Sequence, residues 1–281
     1  MKKIAVCGYT SNVGRYFVQK YRNQYEFVLI GRQSDADIYL DLGTRKIDGN
    51  VELLKNCDSL VNFSAQTSAQ TDQQIMNLMT VNALGSLYLA TLVKQYQINY
   101  FLNMSSISAT YKIDDEYYGY YSQSKKSADE VLSYYCKKND IKLCVLQPTA
   151  IFGTPDFAKH QVLLYGLISK VEANQPIEIY GTVDAKRNYI HIETLAEVIG
   201  RSLQYKIEGV YPVLNGRNDS ITNIISALND YYGSSSEYSF RKDRPNIVER
   251  CFEKQDAIYR ILGMDMPNGF GEELRKMKLE Y

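Results

Sequence analysis

Short apolar runs alternate with longer segments of helical periodicity along the first half of the chain. The apolar runs predict five strands, at Ile4–Cys7, Phe27–Ile30, Ser59–Phe63, Tyr100–Met104 and Lys142–Leu146. The segments between them predict helices around 12–23, 73–96 and 121–138. This alternation is typical of an α/β fold with a doubly wound parallel sheet covered by helices on both faces. Ligands of such sheets bind beyond the carboxyl ends of the strands.

After Pro148 the alternation is interrupted by glycine and proline, and the elements become shorter. Strands are predicted at Ile177–Tyr180 and Tyr189–Ile192, and helices at Glu193–Leu203, about 220–231 and about 253–262. We expect a smaller α/β lobe formed by several separate chain segments that leave the first domain. The predicted bounds are 1–153 for the first domain, with a later return at about 182–204, and 154–181 with 205–281 for the second lobe.

Composition narrows the class of protein. The 281 residues are 45% hydrophobic and 23% charged, which is ordinary for a globular chain. Lys+Arg and Asp+Glu both number 32, so no global basic field favours nucleic acid or a membrane surface as a partner. The short apolar run before Gly8 does not predict a signal peptide, and no uninterrupted apolar run approaches the ~18 residues of a membrane span. A cytoplasmic location is expected.

The five cysteines are scattered and contain no C-x-x-C pair, and there are only two histidines. This pattern argues against a disulfide framework and against a metal site. Buried thiols in a reducing compartment are the simpler interpretation.

A glycine-containing turn follows the first strand. The segment Gly8-Tyr9-Thr10-Ser11-Asn12-Val13-Gly14 leads into a predicted helix, and glycines stand where backbone approaches a pyrophosphate and where the helix lies against the strand. Ser11 replaces the middle glycine of G-x-x-G-x-x-G, so a plain strand–turn–helix remains the alternative. The residues expected to contact a dinucleotide here are Gly8, Thr10, Ser11, Asn12, Val13 and Gly14.

The second predicted strand ends at Gly31-Arg32, where such folds meet the adenosine ribose. An acidic residue at this position accepts the 2′-hydroxyl of NAD, whereas an arginine pairs with the 2′-phosphate of NADP. Because Asp35 and Asp37 come later, Arg32 favours NADPH, with NAD(H) as the weaker alternative.

Two further segments are candidates for cofactor contacts. Asp41 and Leu42 would lie near the adenine, and Phe63, Ser64 and Ala65 follow the third predicted strand. For each segment an ordinary strand end is an equal alternative.

A tyrosine, a lysine and a serine form the candidate catalytic group. Tyr121 and Lys125 are four residues apart on a predicted helix and share a face, and Ser106 lies just past the fourth strand. A tyrosine has an ordinary pKa near ~10 and moves a proton at neutral pH only when a neighbouring cation favours its phenolate, and Lys125 is expected to be that cation. Ser105, Ser108 and Thr110 are rivals of Ser106. The other Tyr-x-x-x-Lys pairs, which have no such serine, are Tyr16/Lys20, Tyr134/Lys138 and Tyr238/Lys242.

Together these residues resemble the extended short-chain dehydrogenase/reductase family, particularly its nucleotide-sugar epimerase, dehydratase and reductase branch, and most closely the NDP-4-keto-6-deoxyhexose reductases. The resemblance covers nearly the whole chain and implies a Rossmann-type first domain and a substrate-binding second lobe. Besides the glycine turn and Y-x-x-x-K, the segments that carry it are 61–67, 81–85, Leu146–Gly153, 179–192 and Arg244-Pro245. Gln147 and Phe152 depart from the family pattern Arg-Pro-x-x-x-Tyr-Gly.

The resemblance implies roles for individual residues. Tyr121 and Lys125 would also contact the cofactor, as would Pro148. Arg187 and Arg244 would bind the nucleotide diphosphate, and His191 would be structural. The full set of implied substrate contacts is Thr67, Ser106, Gln161, Arg187 and Arg244.

Departures from the family narrow the reaction. Ile107-Ser108 replaces the Asp-Glu of the known dehydratases, Ile107 and Gln161 replace the cysteine and histidine of the 3,5-epimerase-reductases, and Arg32 disfavours permanently bound NAD. The expected function is NADPH-dependent reduction of the 4-keto group of a nucleotide-activated 4-keto-6-deoxy sugar in bacterial surface-polysaccharide (O-antigen) synthesis. An NAD-dependent nucleotide-sugar epimerase is the alternative, and a dinucleotide-sensing regulator is a third hypothesis. The resemblance also implies a homodimer formed through helices 73–96 and 121–138.

Overall fold

The structure is a computed structural model that describes residues 1–279. Its strands are β1 (Lys2–Cys7), β2 (Tyr25–Gly31), β3 (Ile38–Asp41), β4 (Lys46–Gly49), β5 (Ser59–Asn62), β6 (Phe101–Met104), β7 (Leu143–Pro148), β8 (Ala150–Phe152), β9 (Ile177–Tyr180), β10 (Lys186–Arg187), β11 (Tyr189–His191), β12 (Gly209–Val213), β13 (Asp219–Ser220) and β14 (Tyr238–Arg241). Its helices are α1 (Asn12–Tyr21), α2 (Asp72–Met79), α3 (Gly85–Gln95), α4 (Tyr120–Lys138), α5 (Val162–Glu172), α6 (Ile192–Tyr205), α7 (Ile221–Tyr232), α8 (Ala257–Leu262) and α9 (Phe270–Leu274).

The main sheet has eight strands in the order β12-β7-β6-β5-β1-β2-β3-β4. Neighbouring strands from β7 through β3 pair in parallel, and β4 closes one edge as an antiparallel hairpin with β3. The α/β, doubly wound parallel prediction is therefore confirmed. Because β1 lies between β2 and β5, the order of strands reverses at β1, and a ligand is expected to bind beyond the carboxyl ends of β1 and β5.

All five strands predicted in the first half of the chain form. Every residue of β5, β6 and β7 is buried, which explains why these strands read as continuous apolar runs. The sequence analysis did not predict β3 and β4. Each has only four residues, and three of the four residues of β4 are exposed, so their apolar pattern is weak.

The predicted helix 73–96 is interrupted by a π-helical turn at Thr80–Leu84, between α2 and α3. Thr71 begins the helix with a capping box, accepting from the backbone of Gln74 while the Gln74 side chain accepts from Thr71. By length and composition the stretch Asp72–Gln95 could cross a membrane, with a mean hydropathy of 1.3 in its most apolar window. In that window 44% of the residues are buried inside the protein, and core helices of soluble proteins meet the same criterion.

The chain divides into two compact units, Met1–Pro148 with Ala196–Pro212, and Thr149–Leu195 with Val213–Tyr281. The first unit ends at Pro148, five residues before the expected boundary, because β8 pairs with β11 of the second unit. The segment in which the chain returns to the first unit is 196–212, later than the expected 182–204, because β12 joins the main sheet beside β7. The hydroxyl of Tyr21 donates to the carbonyl of Ala196 at 3.1 Å and anchors this return to α1.

The second unit has its own apolar core beneath α5, α7 and α9. Three small two-stranded sheets accompany the helices: β8 with β11, β9 with β14, and β10 with β13. The sequence analysis did not predict α5, and α8 is shorter than the predicted helix 253–262. Short strands that pair across long sequence separations give little periodic signal.

Candidate active site

The glycine turn links β1 to α1 as predicted from the sequence. Gly8 has φ +77°, and a Cβ atom there would lie 2.5 Å from the backbone nitrogen of Ser64. A Cβ atom on Gly14 would lie 2.4 Å from the carbonyl oxygen of Gly8. Ser11, which replaces the middle glycine, caps α1 because its Oγ accepts from the backbone N–H of Gly14 at 3.1 Å. The turn therefore needs its first and last glycines, and serine suits the middle position.

Tyr9, which the sequence analysis did not name as a functional residue, packs against the end of β2. The ring of Tyr9 lies against Gly31, and its hydroxyl donates to the carboxylate of Asp35. Burial, together with this hydrogen bond, raises the pKa of Tyr9 to about 12. Asp37 accepts from the backbone of Leu29 at 2.8 Å. Both acids of the loop thus accept a hydrogen bond from the protein, and both are exposed, as Arg32 is.

Asp41 and Leu42 differ in their surroundings. Leu42 is buried in the apolar core of the first unit, so its side chain packs inside the protein. Asp41 ends β3 and accepts from the backbone of Gly43 at 2.9 Å.

The segment after β5 runs beside the glycine turn. Phe63 is buried and donates its N–H to the carbonyl of Cys7 at 2.8 Å, while the Ser64 hydroxyl and the Cys7 thiol are 3.2 Å apart. Ala65 and Thr67 are exposed. This segment therefore runs from the end of β1 onto the surface.

Asn82, in the π-helical turn, fixes the same segment. Its side chain accepts from the backbone N–H of Gln66 at 2.9 Å and donates to the Gln66 carbonyl at 2.8 Å. It also donates to the hydroxyl of Ser124 on α4 at 2.9 Å. A single buried amide thus connects the predicted cofactor segment to the helix that carries the predicted catalytic pair.

Ser106 and Tyr121 come together as the sequence analysis expects. Ser106 follows β6 and caps a short 3₁₀ turn, and Tyr121 lies in the first turn of α4. The Ser106 side chain lies close enough to Tyr121 to lower the pKa of its phenol. The rivals are engaged elsewhere: the Ser105 hydroxyl donates to Asp129 at 2.7 Å, and the Thr110 hydroxyl donates to the Ile107 carbonyl at 2.7 Å. Ser108 is itself bonded to Ser106 at 3.2 Å.

Lys125 is buried one turn after Tyr121. Its ammonium donates to the carbonyl of Met104 at 3.0 Å and lies 6.0 Å from the centre of the Tyr121 ring. Burial lowers the pKa of Lys125 to about 8, and the negative charge of Asp129 opposes that shift. Burial raises the pKa of Tyr121 to about 12, and the Ser106 side chain opposes this shift. Tyr121 is therefore held as the neutral phenol before it reacts.

The rival pair on the same helix faces solvent. Tyr134 is 67% exposed, and the Lys138 ammonium lies 5.8 Å from the centre of its ring. The spacing Tyr-x-x-x-Lys therefore occurs twice on α4, once at the end of β6 and once on the surface.

Asp129 is a charged neighbour of Lys125 that the sequence analysis missed. It is buried one turn beyond Lys125, and its Oδ2 accepts from Ser105 at 2.7 Å and from Gln147 at 2.8 Å. Burial raises its pKa to about 6, opposed by these hydrogen bonds and by the charge of Lys125. The i, i+4 spacing from Lys125 was the available signal, because it places the carboxylate on the same helix face.

The predicted substrate contacts of the second unit lie in three separate segments of the chain. Gln161 is partly buried and precedes α5, and Arg187 is mostly buried in β10, with its guanidinium donating to the Lys186 carbonyl at 2.9 Å. Arg244 is more than half exposed, and its guanidinium lies 5.8 Å from the centre of the Tyr180 ring. His191 is fully buried and accepts from the backbone of Glu193 at 3.2 Å, consistent with a structural role.

Residues 1–279 contain no group of three or more His, Cys, Asp or Glu side chains arranged to hold a metal ion. Cys7, Cys57, Cys136 and Cys144 are buried free thiols, and Cys251 is exposed.

Comparison with known proteins identifies the family. The model of the NAD dependent epimerase/dehydratase family matches residues 4–213. The chain therefore belongs to the NAD dependent epimerase/dehydratase family, whose members are enzymes of nicotinamide dinucleotide chemistry. No curated protein matches the sequence significantly.

Solved structures of this fold superpose along nearly the whole chain. UDP-N-acetylglucosamine 4-epimerase from Methanobrevibacter ruminantium, in complex with UDP-N-acetylmuramic acid, has a TM-score of 0.79 and 17% identity over 98% of this chain and 96% of that one. UDP-glucose 4-epimerase from Thermus thermophilus, in complex with NAD, has a TM-score of 0.72 and 19% identity over 97% and 96%. RMD from Pseudomonas aeruginosa, complexed with NADPH, has a TM-score of 0.73 and 18% identity over 99% and 96%.

Proposed function

We propose that the protein is an NADPH-dependent reductase of the 4-keto group of a nucleotide-activated 4-keto-6-deoxy sugar, acting in bacterial surface-polysaccharide synthesis. The observation that carries the proposal is the group Ser106, Tyr121 and Lys125 at the end of β6 and the start of α4. There a phenol with a raised pKa lies beside a serine that opposes this shift, one helical turn from a buried ammonium. A neutral phenol is the form of tyrosine that can donate a proton to a ketone oxygen.

The first unit has features that suit a dinucleotide. The tight approach at Gly8 and Gly14 and the capped N-terminus of α1 provide backbone N–H groups and a positive helix end for a pyrophosphate. Bound NADPH would supply the hydride. Under this proposal Thr10, Ser11, Asn12 and Val13 complete the pyrophosphate site, and Ser64, Ala65 and Pro148 line the remainder.

Arg32 is the basis for choosing NADPH over NADH. Arg32 is exposed at the end of β2, and each of the nearby exposed acids already accepts a hydrogen bond, Asp35 from Tyr9 and Asp37 from the backbone of Leu29. A guanidinium suits a 2′-phosphate, and the neighbouring carboxylates that would suit a ribose hydroxyl are already engaged. The solved relatives include both NAD and NADPH complexes.

In the proposed reaction the protein moves one proton. Ser106 Oγ donates a hydrogen bond to the substrate carbonyl oxygen and orients it. Tyr121 Oη donates its proton to that oxygen as negative charge develops there. The ammonium of Lys125 stabilises the phenolate that remains, because an opposite charge nearby favours the ionised form.

The second unit is proposed to recognise the nucleotide diphosphate. Arg244 is exposed and lies over Tyr180, and an arginine can bind diphosphate oxygens bidentately. Arg187 would supply a second guanidinium, and Gln161 and Thr67 would contact the sugar. The complex of the Methanobrevibacter enzyme with a UDP-sugar supports a substrate of this class.

A nucleotide-sugar epimerase is the second candidate. Two observations favour it: the family model is that of epimerases and dehydratases, and solved relatives include 4-epimerases. An epimerase would use the same Ser106, Tyr121 and Lys125 but would retain NAD through each cycle, with no net consumption of cofactor.

We also propose that the protein is a cytoplasmic homodimer. Apolar side chains are exposed on both helical regions that the resemblance places in a dimer, with Met76 and Leu84 on 72–95 and Tyr120 and Tyr134 on α4. Light scattering coupled to size exclusion tests this, and a monomer at micromolar concentration would contradict it.

The decisive experiment measures loss of NADPH absorbance when the protein meets a panel of dTDP-, CDP-, GDP- and UDP-4-keto-6-deoxyhexoses, with NADH in parallel. Oxidation with one nucleotide sugar, absent in Tyr121→Phe and retained in Tyr134→Phe, supports the reductase. No oxidation with any sugar, combined with NAD released from the denatured protein and interconversion of UDP-hexoses, supports the epimerase instead.

A further inference from the structure

A buried carboxylate lies behind the catalytic group, and none of the substrate contacts proposed above involves it. Asp129 is 7% exposed and lies two turns beyond Tyr121 on α4. Its Oδ2 accepts from two neutral donors, the hydroxyl of Ser105 and the amide of Gln147. Its Oδ1 is buried and has no hydrogen-bond partner within residues 1–279. A carboxylate in such a place is costly unless a positive charge lies nearby.

The charge that compensates Asp129 comes from Lys125. The charged groups that shift the pKa of Asp129 are Lys125 and Glu130, both on α4. Asp129 in turn raises the pKa of Tyr121, the other titratable group nearby. From the strands packed against α4, β7 contributes the neutral Gln147, and Ser105, also neutral, directly follows β6. Glu130 is exposed and bears the same charge as Asp129. Lys125, one turn before Asp129 on the same face of α4, is therefore the cation whose charge acts on this carboxylate.

Lys125 depends on Asp129 in return. Lys125 is 3% exposed, and its ammonium donates to one backbone carbonyl, that of Met104. A carbonyl dipole alone stabilises a buried ammonium poorly, and the charge of Asp129 is what opposes the loss of its proton. Because Gln147 is an amide and not a cation, the charge of Asp129 is not neutralised from the side of β7.

We propose that Asp129 is a positioning residue that keeps Lys125 protonated, and that it thereby sets the upper pH limit at which Tyr121 works. The effect on turnover rests on the proposed function, whereas the effect on Lys125 does not. Asp129 touches neither substrate nor cofactor in this proposal, and it acts through the charge of its neighbour.

The sign of the pH dependence follows from the two groups. The pKa of Lys125 is about 8 with the ionised Asp129 beside it, so the ammonium loses its proton as the pH rises through that value. Removing the carboxylate takes away the group that raises this pKa, and the loss then occurs at lower pH. On the acid side, Asp129 takes up a proton as the pH falls through about 6, and Lys125 loses its counter-charge there.

The test follows Lys125 directly, in the full chain without added cofactor. Lysines are labelled with ¹³C at Cε, the Lys125 signal is identified by its loss in Lys125→Arg, and its midpoint is measured by NMR across the pH range. In Asp129→Asn we expect the midpoint to fall by about one pH unit or more. In the matched control Glu130→Gln, an exposed carboxylate on the same helix, we expect a change of about 0.3 pH unit or less.

Two further variants keep the test decisive. Asp129→Glu keeps the charge and should retain most of the wild-type midpoint. If Asp129→Asn does not fold, Gln147→Arg supplies a second cation to Asp129 and should also lower the Lys125 midpoint. An unchanged midpoint in folded Asp129→Asn, or in Gln147→Arg where that variant replaces it, overturns the inference.

Activity gives the second readout. With a substrate identified, the alkaline limb of kcat should move to lower pH in Asp129→Asn by the same amount as the Lys125 midpoint, while KM changes less than about twofold. A protein without reductase activity would refute the proposed function and leave the NMR titration to decide the role of Asp129.

Discussion

Asn82 donates a hydrogen bond to the hydroxyl of Ser124 at 2.9 Å, which ties the π-helical turn between α2 and α3 directly to the helix that carries Tyr121 and Lys125. The same amide holds both backbone groups of Gln66. The added residue of a π-helical turn changes the direction of side chains locally, which is why such turns occur often at functional sites. Asn82 is therefore expected to matter for the folded state before any ligand is bound.

Asn82→Ala should lower the free energy of unfolding by about 2–3 kcal/mol, because it removes a buried partner from three hydrogen bonds. The measurement is urea denaturation followed by circular dichroism. Asn77→Ala, which removes an exposed asparagine from α2, is the control and should change stability by less than about 0.5 kcal/mol. Equal effects of the two variants would show that the contacts of Asn82 contribute little.

Tyr121→Phe should lower kcat by about 10²–10⁴-fold while NADPH still binds, because the ring is kept and only the proton donor is lost. Turnover is followed by NADPH absorbance and binding by NADPH fluorescence. Tyr134→Phe removes a hydroxyl at the same Tyr-x-x-x-Lys spacing on the exposed part of α4 and should leave turnover unchanged. Near-normal turnover in Tyr121→Phe would remove this tyrosine from the mechanism.

Arg32→Ala should weaken the binding of NADPH by about tenfold or more and leave NADH nearly unaffected, since a charge-assisted contact to the 2′-phosphate is lost. Dissociation constants for both cofactors are measured by fluorescence titration at one ionic strength. Arg22→Ala, an exposed arginine at the end of α1, controls for the general loss of positive charge. A parallel loss for NADH would leave no basis for choosing the phosphorylated cofactor.

Gly8→Ala and Gly233→Ala separate backbone strain from steric contact. Both glycines have positive φ, +77° and +66°, but a Cβ atom on Gly8 meets Ser64 at 2.5 Å, whereas Gly233 has open space. We expect Gly233→Ala to cost about 1 kcal/mol, the strain of a left-handed residue. Gly8→Ala should cost at least about 2 kcal/mol more, because the segment after β5 must move. If the denaturation midpoints of Gly8→Ala and Gly233→Ala fall equally, Ser64 moves aside at no measurable cost in stability.

The proximity of Ser106, Tyr121 and Lys125, the proposed catalytic group, could be predicted because position in an α/β chain restricts side chains in space. Residues that follow buried parallel strands meet at one edge of the sheet, so a serine after β6 and a tyrosine at the start of α4 were expected together. The same reasoning set aside Tyr134/Lys138, which lies at the far end of α4. The structure supplies what spacing could not, namely that Ser106 acts on the pKa of Tyr121 whereas Ser105 is hydrogen-bonded to Asp129.

The electrostatics of the site could not be predicted in the same way. The sequence places Lys125 beside Tyr121 but says nothing of how deeply either is buried, and burial is the larger cause of both pKa shifts. The pairing of Tyr9 with Asp35 likewise depends on the turn after β2. Such effects arise from solvent exclusion and from contacts across many residues, and no local pattern records them.

The sequence by itself determined which segments of the first unit form the buried strands and the helices, and where along the chain they lie. It also determined the glycine turn and the grouping of Ser106, Tyr121 and Lys125. Each of these depends on short-range periodicity or on backbone conformations that particular residues require. The tertiary structure decided the short pairings β8 with β11 and β9 with β14, the return of 196–212 to the first unit, and the partnership of Asp129 with Lys125. These depend on burial and on hydrogen bonds between distant segments, whose energies exist only once the chain has folded.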